Sequence, residues 1–153
     1  MRISTRLAAV AMVGIMLCWS AYGETSVSQA QRELFSSVNE ARRAQGLPPL
    51  RWNDSLAAAA RRHAEVMAEH GSAQHWFEGE PSLSARVKQT GLRFTWLSEN
   101  VTQGPTPDFV HAQFMKSPAH RSNILDRDMD SIGIGVVEQG GQFFVAEDFA
   151  QVH

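Results

Sequence analysis

Ile132-Gly133-Ile134-Gly135-Val136 is the stretch of sequence that decides the fold class. Branched aliphatic residues occupy every second position, which is the spacing of a β-strand. Gly140-Gly141 follows, a pair typical of a tight hairpin turn. The next run, over residues 143–149, contains three phenylalanines and is rich in strand-forming residues. The C-terminal part of the chain is therefore predicted to form a β-hairpin.

The residues before this hairpin carry helical periodicity, with apolar side chains recurring every three or four positions. A capping box of Ser28 and Gln31 is predicted to begin the first helix. Asp54 is the predicted N-cap of a second helix that runs to His70, and Thr106 is the predicted cap of a later one, with a short helix between them. Three glycines are predicted to end the first three helices: Gly46, Gly71 and Gly91. Helices followed by a hairpin indicate an α+β domain whose helices pack on a small antiparallel sheet.

Residues 1–23 have the features of an export signal. Arg2 and Arg6 give a positive start, and the apolar run that follows is too short to span a bilayer comfortably. Ala21 and Gly23 are small residues that suit a signal peptidase, so cleavage is predicted after Gly23, with an uncleaved anchor as the alternative. We therefore expect a secreted or periplasmic protein with no transmembrane span after signal cleavage.

The composition of the remaining chain limits its partners. About 130 residues are enough for one domain with a hydrophobic core, which we expect to be monomeric. The signal removes two arginines and no acid, so the mature chain is more acidic than the full sequence, whose formal charge is −2. Without a basic stretch, nucleic acid is not an expected partner. Cys18 is the only cysteine and lies in the signal, so the mature protein is expected to be free of disulfides.

Three separated polar islands carry the candidate site residues His75, Glu99 and His120. Two imidazoles that converge with a carboxylate can hold a divalent cation such as zinc or a polarised water. His75 and His120 would supply half of a tetrahedral zinc shell. Glu99 would then accept an imidazole N–H or act as a base for a bound water.

Other side chains near these islands have two interpretations. Trp76 stands beside His75 and is a candidate wall of a cleft, whereas Trp52 is expected in the core. Arg121 could contact a ligand anion or could pair with an acid such as Asp126 or Asp128. A buried structural role is expected for His63, which falls on the apolar stripe of the second helix. A chelating pair of His70 and His75 stays open as a further alternative.

Several motifs resemble those of the CAP superfamily, named for cysteine-rich secretory proteins, antigen 5 and pathogenesis-related 1 proteins. The similarity covers residues 31–150, which leaves residues 24–30 as a short lead and 151–153 as a tail. In chain order the motifs are Val38-Asn39-Glu40-Ala41-Arg42-Arg43, Gly46-Leu47, Leu50-Arg51-Trp52, Ser98-Glu99-Asn100-Val101 and Ser117-Pro118-Ala119-His120-Arg121-Ser122-Asn123-Ile124-Leu125. The last of them resembles the signature of the bacterial SCP-like branch.

The resemblance implies a three-layer α-β-α sandwich with a large open cleft, in which two histidines and two acids meet. Carried over, these are His75, His120 and Glu99. The second acid is missing, because it would follow the aromatic residue Phe114, where Met115, Lys116 and Ser117 stand instead. Glu147 and Glu78 are the candidates to replace it.

The leading hypothesis is an exported CAP-domain protein whose cleft binds a ligand through a divalent cation held by His75 and His120. The ligand could be a small molecule, a lipid, a glycan or a protein partner in the envelope. One alternative is a metal-assisted peptidase or esterase in which Glu99 activates water. The other is an inert interaction domain of the envelope. The missing acid favours binding over catalysis.

Overall fold

The computed structural model describes the backbone of residues 18–153 and the side chains from Val27 onward. Most of the predicted signal peptide, residues 1–23, lies outside the described residues, and cleavage after Gly23 stays a prediction. No helix in the described range is long and apolar enough to cross a membrane.

Five helices and four strands make up the described part of the chain. The helices are α1 (Cys18–Ala44), α2 (Asp54–His70), α3 (Leu83–Lys88), α4 (Pro107–Lys116) and α5 (Pro118–Ile124). The strands are β1 (Arg51–Trp52), β2 (Phe94–Gly104), β3 (Ser131–Gln139) and β4 (Gln142–Val152).

The strands form one sheet in the order β1-β3-β4-β2. The predicted hairpin is confirmed as β3 and β4, and its turn places Gly140 and Gly141 at φ values of 60° and 73°, which glycine adopts without strain. β2 pairs antiparallel with the other side of β4. β1 is parallel to β3 over two residues, so the sheet is mixed rather than purely antiparallel.

Helices cover both faces of this sheet, so the predicted α+β three-layer sandwich is confirmed. On one face α1, α4 and α5 bury apolar side chains against Ile132, Ile134 and Val136 of β3. On the other face α2 and α3 pack on β4, where Ala146 and Ala150 lie in the core.

The glycines of β3 let α2 lie directly on the sheet. A Cβ atom at Gly133 would come within 2.0 Å of the Ala57 backbone nitrogen. At Gly135 it would come within 2.2 Å of the Ala60 carbonyl carbon. The alternation of glycine with branched residues therefore encodes a close helix contact on one face and a core on the other.

Two local predictions are wrong. Ser28 does not begin a helix, because α1 extends back to Cys18. Asn53, not Asp54, caps α2, since its side chain accepts the Leu56 N–H. Two of the polar islands, for which no helix or strand was predicted, form regular structure: residues 98–101 lie within β2, and residues 118–124 form α5. The Thr106 cap of α4 is confirmed.

We predict that Gly135→Ala lowers the free energy of unfolding by at least about 2 kcal/mol, because the new methyl group meets backbone atoms of α2 that cannot rotate away. Denaturant unfolding measures the change. Glu138→Ala, an exposed change on the same strand, should stay within about 0.5 kcal/mol of the parent. A Gly135→Ala variant as stable as the parent would show that α2 does not pack this closely.

Candidate functional site

The three candidate residues meet at the open edge of the sheet. Glu99 projects from β2, the edge strand, while His75 lies in the loop after α2 and His120 in α5. His75 Nδ1 is 2.9 Å from Glu99 Oε1. The ring centroids of His75 and His120 are 6.4 Å apart, with 54° between the ring planes. The fold thus brings together side chains that are far apart in sequence.

An ion pair below the cleft holds Glu99 in place. Its second oxygen, Oε2, accepts from Arg86 of α3, and both residues are buried. Arg86 also donates to Glu80 Oε1 at 3.3 Å and to the Pro81 carbonyl at 3.2 Å. Because Arg86 holds Oε2 of Glu99, the other oxygen, Oε1, is directed at His75.

Sequence reasoning missed Arg86 and Glu80. A signal was available, because Arg86 falls between the inward-facing residues Leu83 and Val87 of a short helix. A charged residue at such a position is buried only with partners. Those partners lie elsewhere in the sequence and could not be named from spacing.

His63 extends this network into the core. Its predicted structural role is confirmed by its burial, since the side chain is fully enclosed. Nδ1 is 2.6 Å from Glu80 Oε1, and Nε2 is 2.8 Å from the Gln74 carbonyl oxygen. The chain of contacts from His63 through Glu80, Arg86 and Glu99 to His75 fixes the loop that carries His75.

Two asparagine side chains tie α5 to β2. Asn100 donates to the His120 carbonyl at 3.1 Å. Asn123 donates to Asn100 Oδ1 at 2.9 Å and to the Glu99 carbonyl at 3.3 Å. The His120 ring packs edge-on against Phe114, with centroids 5.3 Å apart. These contacts explain why asparagines accompany Glu99 and His120 in the two polar islands.

The two cleft histidines differ in their affinity for protons. The hydrogen bond to Glu99 raises the pKa of His75, although partial burial opposes it. Burial lowers the pKa of His120, and the neighbouring charge of His75 lowers it further. His120 is thus the imidazole that more readily stays neutral, the form that binds metals.

Neither proposed substitute for the missing acid reaches the histidines. Glu147 is fully buried and accepts from Asn100 at 3.2 Å, while Glu78 is exposed. In the described part of the chain, neither carboxylate forms a hydrogen bond or ion pair with His75 or His120. The same residues contain no group of three or more histidine, cysteine or acidic side chains suited to a metal ion.

Trp76 and Arg121 lie at the surface beside these histidines. Trp76 is 52 % exposed, and its indole N–H donates to the Glu80 carbonyl at 2.7 Å, which fixes the ring. Arg121 is exposed and forms no ion pair with Asp126 or Asp128 within the described range, so its predicted structural pairing is wrong. Contact with a ligand anion stays a prediction for Arg121.

Comparison with known proteins identifies the family. The model of the cysteine-rich secretory protein family, CAP, matches residues 35–149. The chain belongs to the CAP family. The uncharacterized protein YkwD of Bacillus subtilis (strain 168) is 32% identical to this CAP chain over 117 residues, which cover 76% of this chain and 46% of YkwD.

Two solved structures share the fold. An extracellular protein containing a SCP domain from Bacillus anthracis has a TM-score of 0.76 at 22% identity, covering 86% of this chain and 43% of that one. An outer surface protein from Borrelia burgdorferi has the same TM-score at 20% identity, covering 83% of this chain and 96% of that one. The CAP chain thus spans less than half the length of YkwD and of the B. anthracis protein.

The buried carboxyl group of Glu147 is expected to make the free energy of unfolding depend on pH. Burial raises the pKa of Glu147 to about 8 in the folded protein. The unfolded chain ionises near the ordinary value of 4.5, so ionisation favours the unfolded state as pH rises from there to about 8. Glu147→Gln, which keeps an oxygen for Asn100, should remove this effect.

Urea unfolding at pH 5 and pH 8 checks this prediction. Relative to Glu147→Gln, the parent should lose roughly 3 kcal/mol between the two pH values. Glu138→Gln is the matched control on an exposed position of β3 and should follow the parent. A constant difference between the parent and Glu147→Gln would contradict a protonated buried Glu147.

Proposed function

We propose that this CAP-domain protein is exported and that its cleft binds a ligand through a divalent cation, zinc foremost, held by His75 and His120. The observation that carries the proposal is the hydrogen bond between His75 and Glu99. Export is supported by the features of residues 1–23 and by the description of the similar B. anthracis protein as extracellular.

The hydrogen bond decides which nitrogen of His75 is available. A carboxylate only accepts, so Nδ1 of His75 carries the proton and Nε2 keeps its lone pair in the neutral ring. A histidine whose other nitrogen donates to a carboxylate is the usual arrangement around protein-bound metals. Glu99 therefore has the position of a group that orients a metal ligand.

The separation of the histidine rings is compatible with a shared ion after a small movement. Two imidazoles on one tetrahedral zinc place their centroids about 5 Å apart, compared with 6.4 Å here. The loop that carries His75 is fixed, but the His75 side chain is 59% exposed, so its ring can tilt toward His120 without displacing packed side chains. When bound, the ion would offer its remaining coordination positions to water or a ligand donor atom. Two protein ligands imply modest affinity.

The same contacts argue against hydrolysis. A general base needs a free oxygen lone pair directed at the attacking water. Both oxygens of Glu99 are engaged, Oε1 by His75 and Oε2 by Arg86. Among the described residues, no second acid stands at the histidines to share the work of orientation and proton transfer. This geometry best supports ligand binding through a metal ion that oriented histidines would hold.

The surface beside the histidines limits the chemistry of the ligand. Trp76 offers an exposed aromatic face next to His75, and Arg121 offers a cation one residue after His120. A small molecule, glycan, lipid headgroup or protein segment with a metal-binding oxygen would fit this surface.

Calorimetric titration of the purified protein with zinc tests the proposal. We predict that His75→Ala and His120→Ala each weaken zinc binding at least tenfold, because each removes one of two ligands. His153→Ala, a change at an exposed histidine far along the chain, is the control and should bind like the parent. His70→Ala tests the chelating pair of His70 and His75 and should also leave binding unchanged.

Three outcomes would contradict the proposal. Unchanged zinc binding in His75→Ala and His120→Ala would exclude this metal site. Zinc-dependent turnover of peptides or esters that disappears in Glu99→Gln would favour the hydrolase. Absence of both binding and turnover in the parent would leave an inert interaction domain as the better account.

A further inference from the structure

A second concave site lies at the opposite edge of the sheet from the histidines. It is a groove of about 390 Å³ between α1 and β1, within the size range of small-ligand sites. Its walls are formed by Ser28, Gln31, Arg32, Phe35 and Trp52. β1 and β2 are the two outer strands of the sheet, so this groove and the histidine cleft are separate surfaces.

One wall of the groove is a single face of α1. Ser28, Gln31, Arg32 and Phe35 follow the spacing that aligns side chains along a helix. The same helix is anchored further along, where Asn39 exchanges two hydrogen bonds with the backbone of Leu50. This clamp holds α1 against the segment that leads into β1, so the groove is built on rigid elements.

Trp52 forms the facing wall and contradicts its predicted place in the core, because 37 % of the residue is exposed. The indole is nevertheless fixed. Its N–H donates to Asp54 Oδ1 at 2.8 Å, and its ring meets Phe35 edge-on with centroids 5.5 Å apart. Gln31 is fixed as well, since its amide donates to the Ile134 carbonyl at 2.8 Å.

Arg32 gives the groove a positive charge in a protein whose net charge is negative. It is exposed and forms no ion pair with any residue of the described range. Neither nearby acid pairs with Arg32: Glu33 accepts from Gln29 and Asp54 accepts from Trp52, and both donors are neutral. No carboxylate belongs to the lining of the groove, as far as the described residues form it, so its charge is complementary to an anion.

We propose that this groove binds a sugar ring that carries a carboxylate. The C–H face of such a ring packs on the electron-rich face of Trp52, and its carboxylate pairs with Arg32. Ser28 and Gln31 add a hydroxyl and an amide for ring hydroxyls on the same wall. A purely apolar ligand would leave the guanidinium of Arg32 without a partner in the groove.

Nuclear magnetic resonance titration tests the proposal through the indole N–H signal of Trp52. The probes are a glucuronic acid oligosaccharide, the matching neutral glucose oligosaccharide and benzoate. We expect the glucuronic acid probe to shift the Trp52 signal and to bind at least tenfold more tightly than the other two.

Variants locate the site. Arg32→Gln and Trp52→Leu should each weaken binding of the glucuronic acid probe at least tenfold, because each removes one of the two main contacts. Binding to the Trp52 variants is followed through the side-chain amide signals of Gln31, since these variants lack the indole. Trp52→Phe, which keeps the packing on Phe35, should give a smaller loss and replaces Trp52→Leu if that variant does not fold. The matched controls are Arg43→Gln, at an exposed arginine of the same helix, and Trp96→Leu, at an exposed tryptophan on β2; both should bind like the parent.

The other outcomes overturn the proposal. Equal binding of the neutral probe would exclude recognition of the carboxylate, and tighter binding of benzoate would exclude a sugar. Absence of any Trp52 shift at millimolar glucuronic acid probe would exclude the site. The combined variant His75→Ala and His120→Ala should keep full binding of the probe, which separates this groove from the proposed metal site.

Discussion

The buried ion pair between Arg86 and Glu99 is the interaction on which the cleft depends. Burying two charges costs several kcal/mol each, and the pair is stable only if the remaining hydrogen-bonding capacity is also used. Most of this capacity is used: the two terminal nitrogens of Arg86 donate to Glu99, Glu80 and the Pro81 carbonyl, and the second oxygen of Glu99 accepts from His75. Within the described residues, Arg86 Nε has no partner. The need to satisfy a buried charge therefore fixes the direction of the one oxygen that contacts the cleft.

The sheet determines where this oxygen emerges. β2 lies at an outer edge, so the loop after α2 and the helix α5 can meet beyond it from opposite faces. Glu99 and Asn100 are consecutive in β2 and point to opposite faces, one toward His75 and the other toward the backbone of His120. A single pair of adjacent residues thus positions both histidines.

On the neighbouring strand Asp148 lies opposite Glu99. Burial raises the pKa of Asp148, and the charge of Glu99 raises it further. This raised pKa of Asp148 disfavours a second negative charge beside Glu99.

The elements that could be predicted from the sequence are those encoded by residues close together in the chain. The β3 and β4 hairpin and the Thr106 cap are encoded by neighbouring residues, and both predictions are confirmed. The N-cap of α2 was assigned one residue late because Asn53 and Asp54 are both good caps, and only the backbone distinguishes them. β2 and α5 escaped notice because their polar residues mask the usual periodicity. Those polar residues are satisfied by partners on other elements, such as Arg86 for Glu99. The family motifs nevertheless pointed to His75, Glu99 and His120, which the fold brings together.

The protonation of His75 is the most direct test of the account, because the proposed role of Glu99 is to orient that ring. Nitrogen-15 spectra of the histidine side chains, recorded across a pH titration without metal, report both the tautomer and the order of protonation. We predict that neutral His75 carries its proton on Nδ1 and that the pKa of His75 lies above the pKa of His120. A proton on Nε2 of His75, or a His120 that titrates at the higher pH, would contradict it.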